Sequence, residues 1–232
     1  MARIEPGMMV LDVGTGPGYT ARRAAERGAG VTGVDIADEV LARARRLHPG
    51  IGFQRGDAED LPFAECSFDA LVSNFTINHV PRPEVAVREF VRVLRPGGRI
   101  ALSAWDTPER NRFLGILVDA ARVAGLTAPR DAPKGPDPYR FADNDEFRGL
   151  LADAGFDAVE VRTVSLVQRV PDTDALWRGM LGGSVRTGEL VVRAVPRTRT
   201  KVREAVERLA DEYLSPGGLS IPARAKLAWG RR

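Results

Sequence analysis

The chain has 232 residues, 44% of them apolar and 28% charged, enough to bury a core and keep a solvated surface, which argues against disorder. Its 34 basic and 31 acidic side chains leave an excess of three, and apart from the runs 43–46 and 197–203 they are dispersed, unlike the basic face of a nucleic-acid binder. A single cysteine, Cys66, excludes an internal disulfide, and with only two histidines no metal site is expected.

No basic segment followed by an apolar run opens the sequence, and no stretch of about eighteen apolar residues could cross a bilayer. The composition therefore predicts a cytoplasmic protein with no membrane partner.

In chain order, short apolar runs alternate with helical patterns, the mark of parallel strands joined by helical crossovers. Strands are expected over Met8 to Val13, Gly30 to Asp35, Ile51 to Gly56, Phe68 to Phe75 and Arg99 to Trp105. Each reads as apolar on both faces, as in a sheet covered by helices on two sides. Helices are expected over Tyr19 to Arg27, Ala37 to Leu47 and Pro83 to Leu94. In the third, Val87, Phe90, Val91 and Leu94 repeat at helical spacing, Pro83 suits the first turn, and Pro96-Gly97-Gly98 stops it.

Downstream, Arg110 to Ala124 reads as a helix, Thr127 to Pro138 as a loop over one end of the sheet, and Asn144 to Ala154 as a further helix. Asp157 to Val170 alternates as a long strand. Two helices, Asp174 to Leu181 and Lys201 to Leu214, are separated by Gly182-Gly183 and a basic link, and Ser220 to Trp229 returns as a last strand.

The chemistry concentrates at strand ends. In Val10-Leu11-Asp12-Val13-Gly14-Thr15-Gly16-Pro17-Gly18 the glycines fall at i, i+2 and i+4, whereas a dinucleotide turn wants i, i+2 and i+5. A strand, a glycine turn and then a helix place backbone N–H groups and a positive helix end around one small space. Pro17 removes one donor, which suits a pyrophosphate poorly. Asp35, at the end of the second strand about twenty residues on, can accept both hydroxyls of a ribose. Asp57, after the third strand, lies at the same sheet edge and could accept from the exocyclic amine of adenine. Either acid alone could merely order its loop; the ordered set of glycine loop, Asp35 and Asp57 points to a nucleoside.

These segments, together with Gly33-Val34-Asp35, Gly56-Asp57-Ala58-Glu59-Asp60-Leu61-Pro62-Phe63, Phe68-Asp69-Ala70-Leu71-Val72-Ser73-Asn74 and Leu94-Arg95-Pro96-Gly97-Gly98-Arg99, resemble a class I S-adenosylmethionine-dependent methyltransferase. The nearest branch is the ubiquinone and menaquinone C-methyltransferase-like one, methyltransferase type 11. The resemblance covers residues 8–105. It implies an α/β fold with a Rossmann-like, seven-stranded, mostly parallel sheet, helices on both faces, a last antiparallel strand at the edge and a helical lid insertion between the last two strands.

It further implies that S-adenosylmethionine is the cofactor and S-adenosylhomocysteine the product. Gly14, Gly16 and Gly18 would pack on the amino-acid part, Asp12 would brace the loop, and Asp35 would hold the ribose, with Thr15 and Ile36 also among the cofactor-binding residues. Asp57 and Ala58 would read adenine, and Asn74 would lie near the methionyl group. One domain is expected, with 8–105 as the cofactor core, 106–140 and 171–216 as substrate-binding or lid segments, and 217–232 as the last strand.

Relatives carry a covering segment ahead of the glycine strand. Here that strand starts within ten residues of Met1, so either the chain is truncated or the later segments take over the lid's task.

Because a sulfonium methyl is already electrophilic, transfer needs in-line placement and exclusion of water, with a base where the acceptor carries a proton. His79, in Asn74-Phe75-Thr76-Ile77-Asn78-His79-Val80, is the candidate base, or else it orders the loop before Pro81. Asn78, Trp105, Tyr139, Phe141 and Trp177 are candidate substrate residues. The expected reaction is methylation of an oxygen or carbon atom of a small, moderately apolar metabolite, with a homodimer as a compatible assembly. The alternatives are a non-transfer reaction such as cyclisation on the same fold, and RNA or DNA modification suggested by the basic run.

Overall fold

The computed structural model describes residues 2–127 and 135–232. Of the loop expected over Thr127 to Pro138, residues 128–134 lie outside the described part. The elements follow the predicted alternation: β1 (Met9–Val13), α1 (Tyr19–Ala25), β2 (Gly30–Asp35), α2 (Asp38–Leu47), β3 (Gly52–Arg55), β4 (Phe68–Asn74), α3 (Pro83–Val93) and β5 (Leu94–Trp105). Then come α4 (Arg112–Val123), α5 (Asn144–Ala152), β6 (Asp157–Val170), α6 (Thr173–Gly183), α7 (Val185–Arg193), α8 (Pro196–Ala210), the two-residue β7 (Leu214–Ser215) and β8 (Gly218–Arg231).

The strands form one sheet in the order β3-β2-β1-β4-β5-β8-β6, with β7 paired to β8. β1 to β5 are mutually parallel. β8 runs against β5, since Gly97 donates to the Arg232 carbonyl while, at the other end, Asp106 donates to that of Arg224. The last strand is therefore antiparallel as expected, but it is not the edge. It lies inside β6, and its alternating burial of Leu219, Ile221, Ala223 and Ala225 fits an interior place. β6 is exposed along most of its length and takes the edge.

Lys226 on β8 is buried, and its ammonium donates to Asn144 Oδ1 and Thr163 Oγ1 at 2.9 Å each, so the charge is not left bare inside the sheet.

By its internal contacts the chain divides into two compact units. One comprises the residues up to Trp105, Gly135–Thr163 and Lys226–Arg232; the other holds the remaining described residues. The first unit carries helices on both sheet faces. Leu11, Leu71, Ile100 and Leu102 pack with Phe90 of α3 and Phe147 of α5, while the alternate residues Val10, Ala70 and Val72 face Ala24 of α1. Leu41 and Ala44 of α2 close over Phe53 on β3. Neighbouring positions on β4 thus bury on opposite faces, which accounts for the near-continuous apolar run.

The second unit buries Ile116 and Leu117 of α4, Leu176 and Met180 of α6, Val191 of α7, and Val202 and Val206 of α8 around Leu219 and Ile221. Here the structure departs from expectation. The segment after Gly183 is not a link: it forms α7, and α8 begins at Pro196, five residues before Lys201. Gly188 explains the first point. A Cβ there would stand 2.7 Å from the Leu181 carbonyl oxygen, so this weak helix former is held by close packing on α6 rather than by propensity.

β5 likewise begins at Leu94, not Arg99. Leu94 pairs with Phe68, and the register then shifts across Pro96-Gly97-Gly98, within the strand, so that Arg99 meets Ala70.

Candidate active site

The glycine loop leaves β1 through buried Asp12 and Val13. Asp12 is fully buried, and its Oδ2 accepts from the Thr15 hydroxyl at 2.7 Å. Burial pushes its carboxyl up to about 6, partly opposed by the Thr15 hydroxyl and the Ala21 amide. Thr15 N–H donates to the Val34 carbonyl and Gly18 N–H to that of Thr15. Gly16 N–H donates to Asp35 Oδ2 at 2.9 Å, and Ala37 N–H to Asp35 Oδ1 at 3.1 Å. The amides of residues 15, 16 and 18 are therefore engaged inside the loop and do not converge on a common space. An anion cradle would need them free, so the geometry disfavours a phosphate more firmly than the glycine spacing does.

The three glycines have different reasons to be glycine. All have positive φ, at 66°, 53° and 84° for Gly14, Gly16 and Gly18. A Cβ on Gly14 would overlap the Thr76 side chain, whose hydroxyl donates to the Gly14 carbonyl at 3.2 Å. One on Gly18 would come within 2.8 Å of both the His48 and Phe53 rings, whereas one on Gly16 would meet nothing within 4 Å. The open side of the loop is at Gly16.

Around that opening stand the ends of β2 and β3. Asp35 is half-buried and Ile36 is 60% exposed, an uncovered apolar side chain next to a fixed carboxylate. Asp57 is exposed, and its Oδ1 accepts from the Glu59 amide, which shapes the turn after β3. Arg92 of α3 anchors the rest of this loop by donating to the Leu61 and Phe63 carbonyls, and Ala58 packs at the margin of the core.

At the end of β4, Asn74 is exposed and its Oδ1 accepts from the Ser103 hydroxyl at 2.7 Å. Phase is set by the next residue. Phe75 has φ of 58°, a strained conformation for a bulky side chain. It is held there because its N–H donates to Ser103 Oγ at 2.9 Å and its ring stacks on Trp105 at 3.6 Å between centroids, 8° from parallel. A short 3-10 turn, Ile77–His79, follows. Asn78 is buried with its carboxamide nitrogen 3.5 Å from His79 Nε2, and His79 is exposed.

The structure thus gathers Asp12, Gly14, Thr15, Gly16, Gly18, Asp35 and Ile36 around the first turn, and Asn74, Asn78, His79 and Trp105 around the ends of β4 and β5. Phe141 is buried, its ring 5.2 Å from that of Phe147, in the core cluster that also holds Ile77 and Ala104. Tyr139 is half-buried at the start of the short turn Arg140–Ala142. Trp177 is partly buried against the core of the second unit. Sequence reasoning missed Phe75, Thr76 and Ser103. Only Ser103 left a signal, as a lone hydroxyl in the apolar run Ile100 to Trp105.

Comparison with known proteins gives this geometry a family. A profile described as a methyltransferase domain matches residues 11–102. A demethylmenaquinone methyltransferase of Renibacterium salmoninarum is 30% identical over 168 residues, covering 69% of this chain and 71% of that protein. An uncharacterized Mycobacterium tuberculosis protein, Rv1405c, is 40% identical over 228 residues, covering 93% and 79%. Among solved structures, one described as a putative methyltransferase from an antibiotic biosynthesis pathway of Anabaena variabilis shares the fold with a TM-score of 0.66, at 22% identity and coverage of 97% and 92%. The chain belongs to the S-adenosylmethionine-dependent methyltransferases.

Proposed function

We propose that this enzyme methylates an oxygen or carbon atom of a small, moderately apolar, ring-bearing acceptor whose hydroxyl loses a proton during transfer. The observation that carries the reading is the Phe75–Trp105 stack, an aromatic wall at the ends of β4 and β5 with Asn74, Asn78 and His79 on the segments beside it. The relative named for demethylmenaquinone, a ring substrate, supports the same class.

The residues present fit the family's cofactor. Gly16 lacks a side chain where a Cβ would meet only open space, Ile36 offers an uncovered apolar face, and Asp35 lies between them. In this reading Asp35 accepts from the ribose hydroxyls, Ile36 packs on the adenine, and Asp57 with Ala58 reads its edge. Gly14, Gly16 and Gly18 keep the loop low beneath the amino-acid tail, with Asp12 and Thr15 bracing it, and Asn74 lies toward the methionyl group. When bound, S-adenosylmethionine supplies an electrophilic methyl group.

The rest is the work of the chain. His79 takes the acceptor's hydroxyl proton, so that the ring oxygen, or the carbon conjugated to it, becomes the nucleophile. Asn78, adjacent to the His79 ring, helps set its orientation. Phe75 and Trp105 exclude water and hold the ring against one plane.

The test is turnover with S-adenosylmethionine and, in separate reactions, a 1,4-dihydroxynaphthalene, an aliphatic amine and an RNA oligonucleotide. The expected result is a methylated naphthalene product by mass spectrometry, with one S-adenosylhomocysteine formed per product. Transfer only to RNA or to the amine would overturn the reading. Product without S-adenosylhomocysteine would indicate cyclisation or another non-transfer reaction. His79→Ala should lower kcat about a hundredfold and leave S-adenosylhomocysteine affinity unchanged.

A further inference from the structure

The basic run singled out in the sequence has no part in the site described above. Between residues 185 and 203 there are six basic side chains, Arg186, Arg193, Arg197, Arg199, Lys201 and Arg203, against one acid, Glu189. The whole chain has an excess of only three, so the rest of it is net acidic and positive charge is concentrated here. The segment folds as α7 and the first half of α8, joined by Ala194 and Val195; the rest of α8 adds Glu204, Glu207 and Arg208.

Some of this charge is compensated. Arg193 pairs with Glu189, and Arg203 with Asp174 and Glu207. Arg197, Arg199 and Lys201 are exposed and form no ion pair among the described residues. On α8, Arg197 and Lys201 stand one turn apart, outside the stripe by which Val202 and Val206 are buried.

Set among these cations are two valines that the fold leaves in water. Val192 is 52% exposed at the end of α7, and Val195 is 65% exposed in the corner before Pro196. A scattered exposed valine needs no explanation. Two of them three residues apart, at the corner between α7 and α8 and followed in the chain by Arg197, Arg199 and Lys201, put exposed apolar side chains beside a run of positive charge.

We propose that the α7–α8 corner is a docking surface for an anionic lipid bilayer. Charge complementarity selects the occupant: arginine and lysine side chains near an anionic leaflet each contribute to adsorption, and short apolar side chains enter the headgroup boundary. Single-stranded nucleic acid would be drawn by the same charge, but its bases call for aromatic platforms, and residues 185–203 contain none. No helix among the described residues is long and apolar enough to cross a membrane, so the association is peripheral and reversible.

The experiment is co-sedimentation of the full chain with large unilamellar vesicles of equal parts phosphatidylglycerol and phosphatidylcholine, compared with phosphatidylcholine alone and with a fluorescent RNA oligonucleotide. The expected result is binding to the anionic vesicles that weakens with salt, and none to the neutral ones. At roughly fivefold per basic side chain, the double substitution Arg197→Glu with Lys201→Glu should weaken vesicle binding at least about twentyfold. Val195→Asp should weaken it severalfold without removing a cation. Urea unfolding with midpoint and slope like the wild type's in both variants reports that they are folded. Equal binding to neutral vesicles, or no binding to anionic ones, would overturn the proposal. So would tighter binding to RNA than to anionic vesicles combined with indifference to Val195→Asp. No turnover is measured, so failure here is separate from failure of the proposed acceptor class.

Discussion

The turns after β1, β2 and β4 are fixed by side chains bonded to main chain, whereas α6, α7 and α8 are fixed by the packing of apolar stripes. In the first region Asp35 holds the Gly16 amide, Thr76 holds the Gly14 carbonyl, and Ser103 holds the Phe75 amide. In the second, Leu176, Met180, Val191, Val202 and Val206 meet in a shared core. Removing one polar partner from a turn leaves a particular backbone atom unsatisfied and moves a particular residue. Many apolar exchanges of similar volume can satisfy a stripe. A turn of the first kind is therefore written in a few residue types at fixed spacing, and a stripe is not.

The largest effect that could break this contrast concerns two glycines of one turn. Gly14→Ala places a methyl group on the Thr76 side chain in a left-handed backbone and should destabilise the protein by at least about 3 kcal/mol. The second change Thr76→Ala should recover part of that loss, a coupling that thermal unfolding of the four proteins measures. Gly16→Ala meets open space and should cost only about 1 kcal/mol of stability, yet lower S-adenosylhomocysteine affinity at least tenfold by calorimetry. Equal stability losses in the two single variants would mean that the turn is not held as described.

That difference bears on what the sequence made legible. The strand-end acids and the glycine loop could be read because each is a local solution to a local problem. The parallel pairing of β1 to β5 follows from the same alternation of strand and crossover, whereas their order β3-β2-β1-β4-β5 is seen only in the folded sheet. The edge place expected for β8 came from the resemblance; the strand lies inside β6, a place its charged Lys226 can take because Asn144 and Thr163 receive the ammonium. α7 was hidden by Gly182, Gly183 and Gly188, which read as punctuation; the close approach of Gly188 to α6 is visible only in three dimensions. Phe75 was overlooked because a positive φ in a phenylalanine is imposed by Ser103 and Trp105, distant in sequence.

A smaller effect sharpens the comparison through pH. The Asp12 carboxyl, raised from 3.8 to about 6 by burial, holds its proton in the folded protein where the unfolded chain has lost it. Stability from this group is therefore full below about pH 4 and is lost as pH rises through about 6, amounting to up to about 3 kcal/mol. Asp69 and Glu89 act in the opposite sense. Donors lower both carboxyls, chiefly the Met9 amide on Asp69 and the Arg92 side chain on Glu89, so their stabilisation is lost on acidification. Both contributions are common to the wild type and Asp12→Asn, and the difference between the two proteins isolates Asp12. In urea unfolding from pH 4 to 7.5, Asp12→Asn should gain on the wild type as pH rises to about 6 and then run parallel to it. A pH-independent difference would show that Asp12 is ionised throughout and that the loop is braced by a charge.

The smallest effect tests the second region by its one clear local signal. Asp172 stands at the N-cap of α6, its Oδ1 accepting from the Ala175 amide at 2.6 Å. Asp172→Ala should cost about 1 kcal/mol. Because α6 is held mainly by Leu176 and Met180 in an apolar core, the loss should appear as faster hydrogen exchange confined to the first turns of the helix. S-adenosylhomocysteine affinity should stay within twofold of the wild type, since every residue assigned to the cofactor belongs to the first unit. If the cap substitution instead slackened the whole of α6 to α8, side-chain-to-backbone bonds would govern this region too, and the contrast with the strand-end turns would fail. If exchange rose only at the helix start while cofactor affinity fell, the packing contrast would survive, but the two regions would have to be coupled in binding.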